Sequence, residues 1–496
     1  MKRLAIIHNF IGSFSNFAFL LFTSILLLPY YFKFISTEDY GIWLSGISFL
    51  SLSSVLEANI SLILTQDLGS KWVNKERREF SKSYSAAIVL GIIIFCFIVM
   101  LTYILKDSII NWVSTDNNRT SLWSKSFFVY SISIGLGILT GFIGVLTQVL
   151  LKTKWPPLFN LLSSILGLSY TVWAVSFQGV LAIAVGLVLK NIVYFLLISS
   201  YSLFQYKKEQ IPFLFEKIYI TRIIKKISLP FMSKLAMTLA TNSQNFIIGF
   251  TIAASATTIF DITRKIPFMI IMLINMAGVS TFTSFSLYYS ERKDTIHPYT
   301  ESYFTFIRIL LLILLSSSFI LGRDFIDIWV GSDKFGGNFL LAIICFSALL
   351  DQLRLSLSQQ YYTIGRYNFT SITDAFFALM FLLLAFLLIP PFKLYGIVLA
   401  AILANVLYFC FCLVYERFNN IGLIKNVINP GFFLDVIGVI LLTIMSKLTY
   451  ESCDSYYVKI MIALSSMIIV LFLAIVRHKK VLALVLADLL KLKTKQ

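Results

Sequence analysis

Fourteen runs of about 20 apolar residues follow one another along this chain. A run of that length crosses the ~30 Å hydrocarbon core of a bilayer as a helix. They are Ile11–Ile35, Gly41–Gln66, Tyr84–Lys106, Phe127–Leu151, Pro157–Ser176, Gly179–Phe204 and Leu229–Ser255. The second seven are Ile262–Tyr289, Tyr303–Gly322, Phe339–Tyr362, Ser371–Pro390, Tyr395–Phe418, Phe432–Leu448 and Tyr457–Val476. In lipid the backbone must satisfy its own polar groups, so each run predicts a helix, and the fold class is an all-α polytopic membrane protein of about 14 transmembrane helices. Only 13% of the residues are charged, half of what a soluble domain carries. The first run is too long for a secretory h-region and lacks a small-x-small cleavage site, so it counts as span one.

A net charge of +17 raises the question of nucleic acid, and its distribution answers it. With fourteen spans the loops alternate sides and the termini share one. The side holding the termini carries 26 Lys and Arg and the other side 11. That excess marks the first side as cytoplasmic. Basicity here reports topology and contact with anionic membrane lipids, and no nucleic-acid partner is needed.

The longest basic loop, Gln205–Lys226, divides the first twelve spans into six and six. The expected organisation is an N-lobe over 1–204 and a basic cytoplasmic linker over 205–228. A C-lobe over 229–418 follows, then 419–496 with the last two helices and a basic cytoplasmic tail. Both lobes start from the same side, which permits a parallel pseudo-repeat. Two echoes support it: Asn191-Ile-Val-Tyr-Phe195 against Asn405-Val-Leu-Tyr-Phe409, and Tyr40-Gly-Ile against Phe260-Asp-Ile. No loop is long enough for an extramembrane catalytic domain. His8, His297 and His478 cannot cluster, and no Walker A, HExxH or GxSxG sequence occurs. The cysteines show no disulfide or metal spacing. A secondary transporter without a cofactor or metal is the expectation, an enzyme is not.

Ionisable residues at bilayer depth cost about 2.5–3.5 kcal/mol on insertion scales and usually face a bundle interior or cavity. Lys190 lies near the middle of span six, about 16 Å from the ends, too deep for comfortable snorkelling. Glu57 is inside span two. Asp351 and Arg354 stand one turn apart on span ten. Lys234, Arg308 and Asp374 lie one or two turns inside their spans, and Arg264 enters span eight just before Pro267. For each, an interhelical ion pair or snorkelling competes with a cavity role. The set is predominantly cationic, which suits an anionic substrate, and Arg suits phosphate oxygens. Lys190, Arg264, Arg354, Lys234 and Arg308 are the candidate substrate contacts. Glu57, Asp351 and Asp374 are the candidate carboxylates for coupling to an H+ or Na+ gradient. Gln148, Asn160, Asn242, Gln244 and Asn245 add polar groups, each more often packing glue than ligand.

Several stretches resemble the polysaccharide-biosynthesis flippases, such as O-antigen transporters, of the multidrug/oligosaccharidyl-lipid/polysaccharide (MOP) exporter superfamily. They are Ser36-Thr-Glu-Asp-Tyr-Gly-Ile-Trp43, Leu56-Glu-Ala-Asn-Ile-Ser-Leu-Ile-Leu-Thr65, Gln148 before Lys154-Trp155, Phe325-Ile-Asp-Ile-Trp-Val-Gly331, Gly365-Arg366 and Tyr395-Gly396. Their order holds up to about Phe418. The resemblance implies a two-lobed, V-shaped transporter of the bacterial inner membrane that works by alternating access. Its substrate would be an undecaprenyl-pyrophosphate-linked oligosaccharide, an O-antigen or capsule repeat unit of lipopolysaccharide-type assembly, moved to the outer leaflet. A polysaccharide polymerase and a chain-length regulator would be its partners. Asp261-Ile-Thr-Arg264-Lys-Ile-Pro267 is similar to the opening of span eight in peptidoglycan-precursor flippases, with a different Asp–Arg spacing, and there the Arg is a candidate substrate contact. Two alternatives stand beside this reading. A multidrug/cation antiporter of the same superfamily would favour an acidic cavity, and a membrane polymerase or ligase would usually carry a large outer loop.

Overall fold

The computed structural model of the chain describes residues 2–51, 55–113, 120–291, 296–419, 422–428, 430–452 and 456–477. Within these, side chains at 2–14, 55–63, 226–234, 276–291 and 296–300 are outside the description, which places the Glu57 and Lys234 side chains beyond it. The described residues form seventeen α-helices, one short 3-10 turn and no strand.

The helices follow the apolar runs. In chain order they are α1 (Lys2–Tyr31), α2 (Thr37–Ser51), α3 (Val55–Val73), α4 (Arg77–Val113), α5 (Thr120–Val149), α6 (Trp155–Gln178) and α7 (Val180–Lys208). Then come α8 (Ile218–Asn242), α9 (Gln244–Thr251), α10 (Ala254–Glu291), α11 (Ile296–Val330), α12 (Asn338–Thr363), α13 (Tyr367–Phe392) and α14 (Leu394–Asn419). A single turn, α15 (Ile424–Val427), precedes α16 (Pro430–Glu451) and α17 (Tyr456–Arg477). The second run lies in α2 and α3, between which 52–54 are outside the described residues; the seventh is divided between α8 and α9, and every other run corresponds to one helix. The outer faces of α16 and α17 expose Leu434, Ile437, Leu441, Met445, Met461, Leu464, Ile468 and Phe472. A continuous apolar surface of that extent requires lipid as its solvent.

The seventh run reads as continuous, but the helix breaks at Ser243. Asn242, Ser243, Gln244 and Asn245 can all bond locally to the backbone and so compete with the helical ladder. At the break, the Asn245 carbonyl accepts hydrogen bonds from Ser45 Oγ at 3.1 Å and Thr257 Oγ1 at 3.3 Å. Two hydroxyls from other helices thus anchor the first turn of α9.

Residues 1–258 and 259–496 form two compact units. In the first, α5 packs against α4 and α7 and α7 against α6, with α1 against α6 and α3 and α8 against α4. The cluster Phe80, Tyr84, Leu90, Ile138, Phe142, Leu146, Tyr219 and Ile223 fills its centre. The linker after α7 is clasped to the start of α4. Ser81 Oγ bonds the Pro212 carbonyl and accepts from the Leu214 N–H at 2.9 Å. Lys82 pairs with Glu216 at 2.6 Å, and the Tyr219 phenol donates to Glu79. In the second unit, α12 packs against α11, α13 and α14, while α16 and α17 lie against α11.

The two units share an internal register. One residue in the left-handed region ends α5 and α12: Leu151 at φ 56° and Gly365 at φ 79°. One residue turns α6 into α7 and α13 into α14: Gly179 at φ 55°, ψ −131° and Lys393 at φ 50°, ψ −126°. Asn191 and Asn405 follow those turns at the same distance, and all three pairs are 214 positions apart in sequence. The chemistry repeats as well. Asn191 donates to the Ser133 carbonyl of α5 at 2.8 Å, and Asn405 donates to Asp351 of α12 at 2.9 Å. Each amide therefore braces the last helix of its six to the fourth.

Candidate functional site

A cavity of about 320 Å³ lies in the first unit between α1, α6 and α7. Helical spacing of 3.6 residues places its lining on one face of each helix. α1 contributes Asn16, Phe19, Thr23, Leu27 and Tyr31; α6 contributes Asn160, Ser164, Gly167, Leu168 and Thr171; α7 contributes Ile183, Gly186, Leu187 and Lys190. Two bonds strap α1 to α6 at the ends of the cavity. Asn16 donates its amide to the Pro157 carbonyl at 3.1 Å, and the Tyr30 hydroxyl donates to the Val172 carbonyl at 2.9 Å.

The α6–α7 hairpin is close because its crossing point is made of glycine. A Cβ on Gly186 would meet Thr171 Oγ1 at 1.9 Å and the Gly167 carbonyl oxygen at 2.7 Å; one on Gly167 would meet the Gly186 carbonyl oxygen at 2.4 Å and Lys190 Cβ at 2.8 Å. This is close small-residue packing of the kind membrane helices use. It seats Lys190 one turn beyond Gly186, and among the described lining residues Lys190 is the one with a formal charge. The 214-residue register shows why the second unit differs there. The positions matching Gly167 and Lys190 are Phe381 and Ala404, and both are fully buried.

The other expected site residues fall into a different pattern. Arg354 is 1% exposed. Its guanidinium donates from Nε to Asn405 Oδ1 at 3.1 Å, lies 3.6 Å from Asp351 and covers the Phe377 ring at 3.8 Å. Asp374 on α13 accepts long hydrogen bonds from Ser358 at 3.4 and 3.5 Å. Arg308 is paired with Asp435 of α16 at 3.0 Å. Arg264 pairs with Asp261 at 3.2 Å and lies over Phe260, while Lys265 shares the same carboxylate at 3.7 Å. The structure thus joins Asp351 and Arg354 as their spacing suggested, and it gives Arg308 a carboxylate partner on a neighbouring helix and Arg264 one on its own helix.

Three ionisable residues were missed from the sequence. Asp435 stands inside the thirteenth run, Glu416 near the end of the twelfth and Lys447 near the end of the thirteenth. Glu416 is buried and accepts from the Tyr361 hydroxyl at 2.6 Å and from the Ile424 N–H at 3.0 Å, which fixes α15 against α12 and α14. Lys447 donates to the Ile320 carbonyl at 2.9 Å. Proximity to run ends made them read as loop charges. Among the described residues no group of three or more His, Cys, Asp or Glu is placed to hold a metal.

No family model matches the sequence, and no curated protein matches it either. Solved structures do match in fold. The lipid II flippase MurJ, in an inward closed conformation, superimposes with a TM-score of 0.75 at 16% identity, over 96% of this chain and 100% of that one. An inward-facing multidrug resistance MATE family transporter of the MOP superfamily gives 0.61 at 15% identity, over 78% of this chain and 94% of its own. A MOP superfamily transporter from Pyrococcus furiosus, described by the reversed polarity of its binding pocket, gives 0.58 at 15% identity, over 84% of this chain and 96% of its own. The chain is an all-helical, multi-pass membrane protein with the fold shared by these flippases and transporters.

Proposed function

We propose that this protein is a flippase that moves an undecaprenyl-pyrophosphate-linked oligosaccharide, such as an O-antigen or capsule repeat unit, from the inner to the outer leaflet of a bacterial inner membrane. The observation that carries the reading is the cavity of the first unit, whose one formal charge among the described lining residues is the ammonium of Lys190. A cationic cavity suits an anionic substrate and opposes a cationic drug, for which a carboxylate would be needed. The flippase likeness over 96% of the chain supports the same choice. Transport would proceed by alternating access, with Lys190 as the leading substrate contact. Arg264, Arg354, Lys234 and Arg308 rank below it, because among the described residues Lys190 is the one of the five that lines the cavity. Asp351, Asp374 and Glu57 are the carboxylates proposed to sense an H+ or Na+ gradient. In this reading the protein catalyses no bond chemistry, and the polymerase and chain-length regulator act on what it delivers.

The test is where lipid-linked oligosaccharide collects in cells lacking the protein, complemented with wild type or Lys190→Ala. Single lipid-linked units should accumulate in the inner leaflet and surface glycan should vanish. Wild type should restore export and Lys190→Ala, at equal protein level, should not. Unchanged surface glycan and unchanged lipid-linked units in the deleted strain would refute the reading and favour the drug antiporter.

A further inference from the structure

We propose that the linker between α7 and α8 docks on anionic phospholipid headgroups of the leaflet on its own side of the membrane. Phe213, Phe215 and Ile218 are its apolar anchors, and the lysines and arginine that flank them are its headgroup contacts. The inference stands apart from the flippase reading and assigns a surface which that reading does not use.

The backbone of the linker is the first argument. Residues 211–216 carry no regular structure between the two helices. Ile211 is buried in the core of the first unit. The Pro212 carbonyl accepts from the Tyr206 hydroxyl at 2.7 Å and from Ser81, and Ser81 Oγ accepts from the Leu214 N–H at 2.9 Å. Both chain neighbours of Phe213 are thus held against α4, and the ring between them is turned outward, 80% exposed. Phe215 follows at 46% and Ile218 at 55%. In the first turns of α8 the helical period sorts the rest. Tyr219 and Ile223 are buried in the same core, while Ile218, Arg222 and Lys225 share an exposed face.

Depth is the second. Ser81 precedes Tyr84, the first residue of the third apolar run, by three positions, about 5 Å along a helix. A segment pinned to Ser81 therefore lies at the boundary of the hydrocarbon layer. The end of the sixth apolar run reaches that boundary too, with Leu203 and Phe204 exposed, and Lys207 and Lys208 continue its surface into the linker. Aromatic and apolar side chains at this level settle among headgroups. Charge then selects the headgroup. Residues 205–226 hold six Lys and Arg against Glu209 and Glu216, and Glu216 is engaged by Lys82 at 2.6 Å. Lys207, Lys208, Lys217 and Arg222, all exposed, flank the anchors in sequence. Basic residues beside apolar anchors at the bilayer surface fit anionic lipid. An acidic protein segment would meet the cations, but depth already places the anchors against the bilayer.

The full-length protein carrying Phe213→Trp is placed in nanodiscs whose phosphatidylcholine is dibrominated close to the headgroup, with and without phosphatidylglycerol. Wild type already holds seven tryptophans, so quenching of the added indole is read as the difference from wild type. With phosphatidylglycerol the added indole should be quenched. Raising the salt to ~1 M, where the screening length falls to about 3 Å, should reverse most of that quenching. Each of Lys207→Gln, Lys208→Gln and Lys217→Gln should lower the docked-to-undocked ratio about fivefold. Thermal unfolding of these exposed-site variants should stay at the wild-type temperature. In phosphatidylcholine alone quenching should be weaker and indifferent to salt. Equal quenching in the two membranes, or lysine variants that keep the wild-type ratio, overturns the proposal and leaves an apolar contact. Quenching in neither membrane overturns it as well; a polyglutamate peptide that then shifted the indole emission would give the surface to an acidic protein. Glycan export is no part of the readout, so the result is the same whether or not the protein is a flippase.

Discussion

Gly186→Ala is the substitution whose consequence can be worked most directly. The added methyl would fall 1.9 Å from Thr171 Oγ1 and 2.7 Å from the Gly167 carbonyl oxygen. The hydroxyl can rotate away; the carbonyl belongs to the α6 backbone and cannot. A normal C···O contact of about 3.3–3.6 Å is missed there by roughly 0.6–0.9 Å, and α6 and α7 must part by a similar amount. Overpacking of this size costs about 1–3 kcal/mol. For a unit of this length each kcal/mol lowers the melting temperature by about 2–4 °C. Thermal unfolding in detergent measures the loss, with Thr171→Ala as the partner in a double-mutant cycle. Alone, Thr171→Ala removes the hydroxyl's bond to the Gly167 carbonyl, worth about 1 kcal/mol. Combined with Gly186→Ala it removes one clash and leaves the other, so the double variant should be more stable than the sum of the singles by about 0.5 kcal/mol or more. A Gly186→Ala protein as stable as wild type, or strictly additive effects, would refute the packing of this hairpin and the seating of Lys190 that depends on it.

Breaking one partner of the Arg308–Asp435 pair leaves a buried charge uncompensated, so Asp435→Ala should cost about 3–5 kcal/mol, whereas Arg308→Met with Asp435→Leu should cost far less; detergent unfolding of the three variants separates the cases. Tyr361→Phe deletes a 2.6 Å bond to a buried carboxylate and should cost about 1.5–3 kcal/mol, with faster proteolysis at 420–429 as the readout. The first turns of α4 precede the apolar run, and there the Tyr219 phenol, donating to Glu79, holds that carboxyl below its ordinary value. A carboxyl depressed in the folded state contributes at neutral pH and loses that contribution as pH falls through its lowered value. Cleavage of the linker at exposed Phe213 should therefore rise on acidification below the ordinary carboxyl range, and Glu79→Gln should cleave as readily at neutral as at acid pH.

What the sequence disclosed was whatever depends on transfer to lipid. A run such as Gly179–Phe204 has one low-energy state in a bilayer, so its existence could be read directly and its length to within a turn of the observed α7. The break at Ser243 could not, because an Asn-Ser-Gln-Asn stretch only permits a break. Ser45 and Thr257, about 200 and 14 residues away, anchor the Asn245 carbonyl just past it, and nothing in the stretch itself names them. Partnership was the other hidden quantity. Arg308 looked like a candidate contact because Asp435 is 127 positions downstream, and a single sequence carries no trace of that pairing. Lys190 was legible by depth alone, but Asn16, Thr23, Ser164 and Thr171 were not, since hydroxyls and amides in spans are usually packing glue.

The shared register sharpens that distinction into an argument about use. Two halves with matching turns and matching amide braces have placed their costly charges differently. The second unit holds Arg354 among Asp351, Asn405 and Phe377 at 1% exposure, an arrangement whose removal leaves polar groups unsatisfied and whose presence fixes α12 against α13 and α14. At the matching point of the first unit, Gly137 and Thr140 stand for Asp351 and Arg354, and Thr140 simply donates to its own helix. The charge there sits instead at Lys190, which lines a cavity beside Gly167, and the position matching Gly167 in the other half is the buried Phe381. A Lys190 kept for packing alone would need no cavity beside it. Filling the space from α6 by Ser164→Phe while sparing Lys190 therefore separates the two roles: export should fail with stability intact, and export at the wild-type rate would mean that the lysine, like Arg354, only holds helices together.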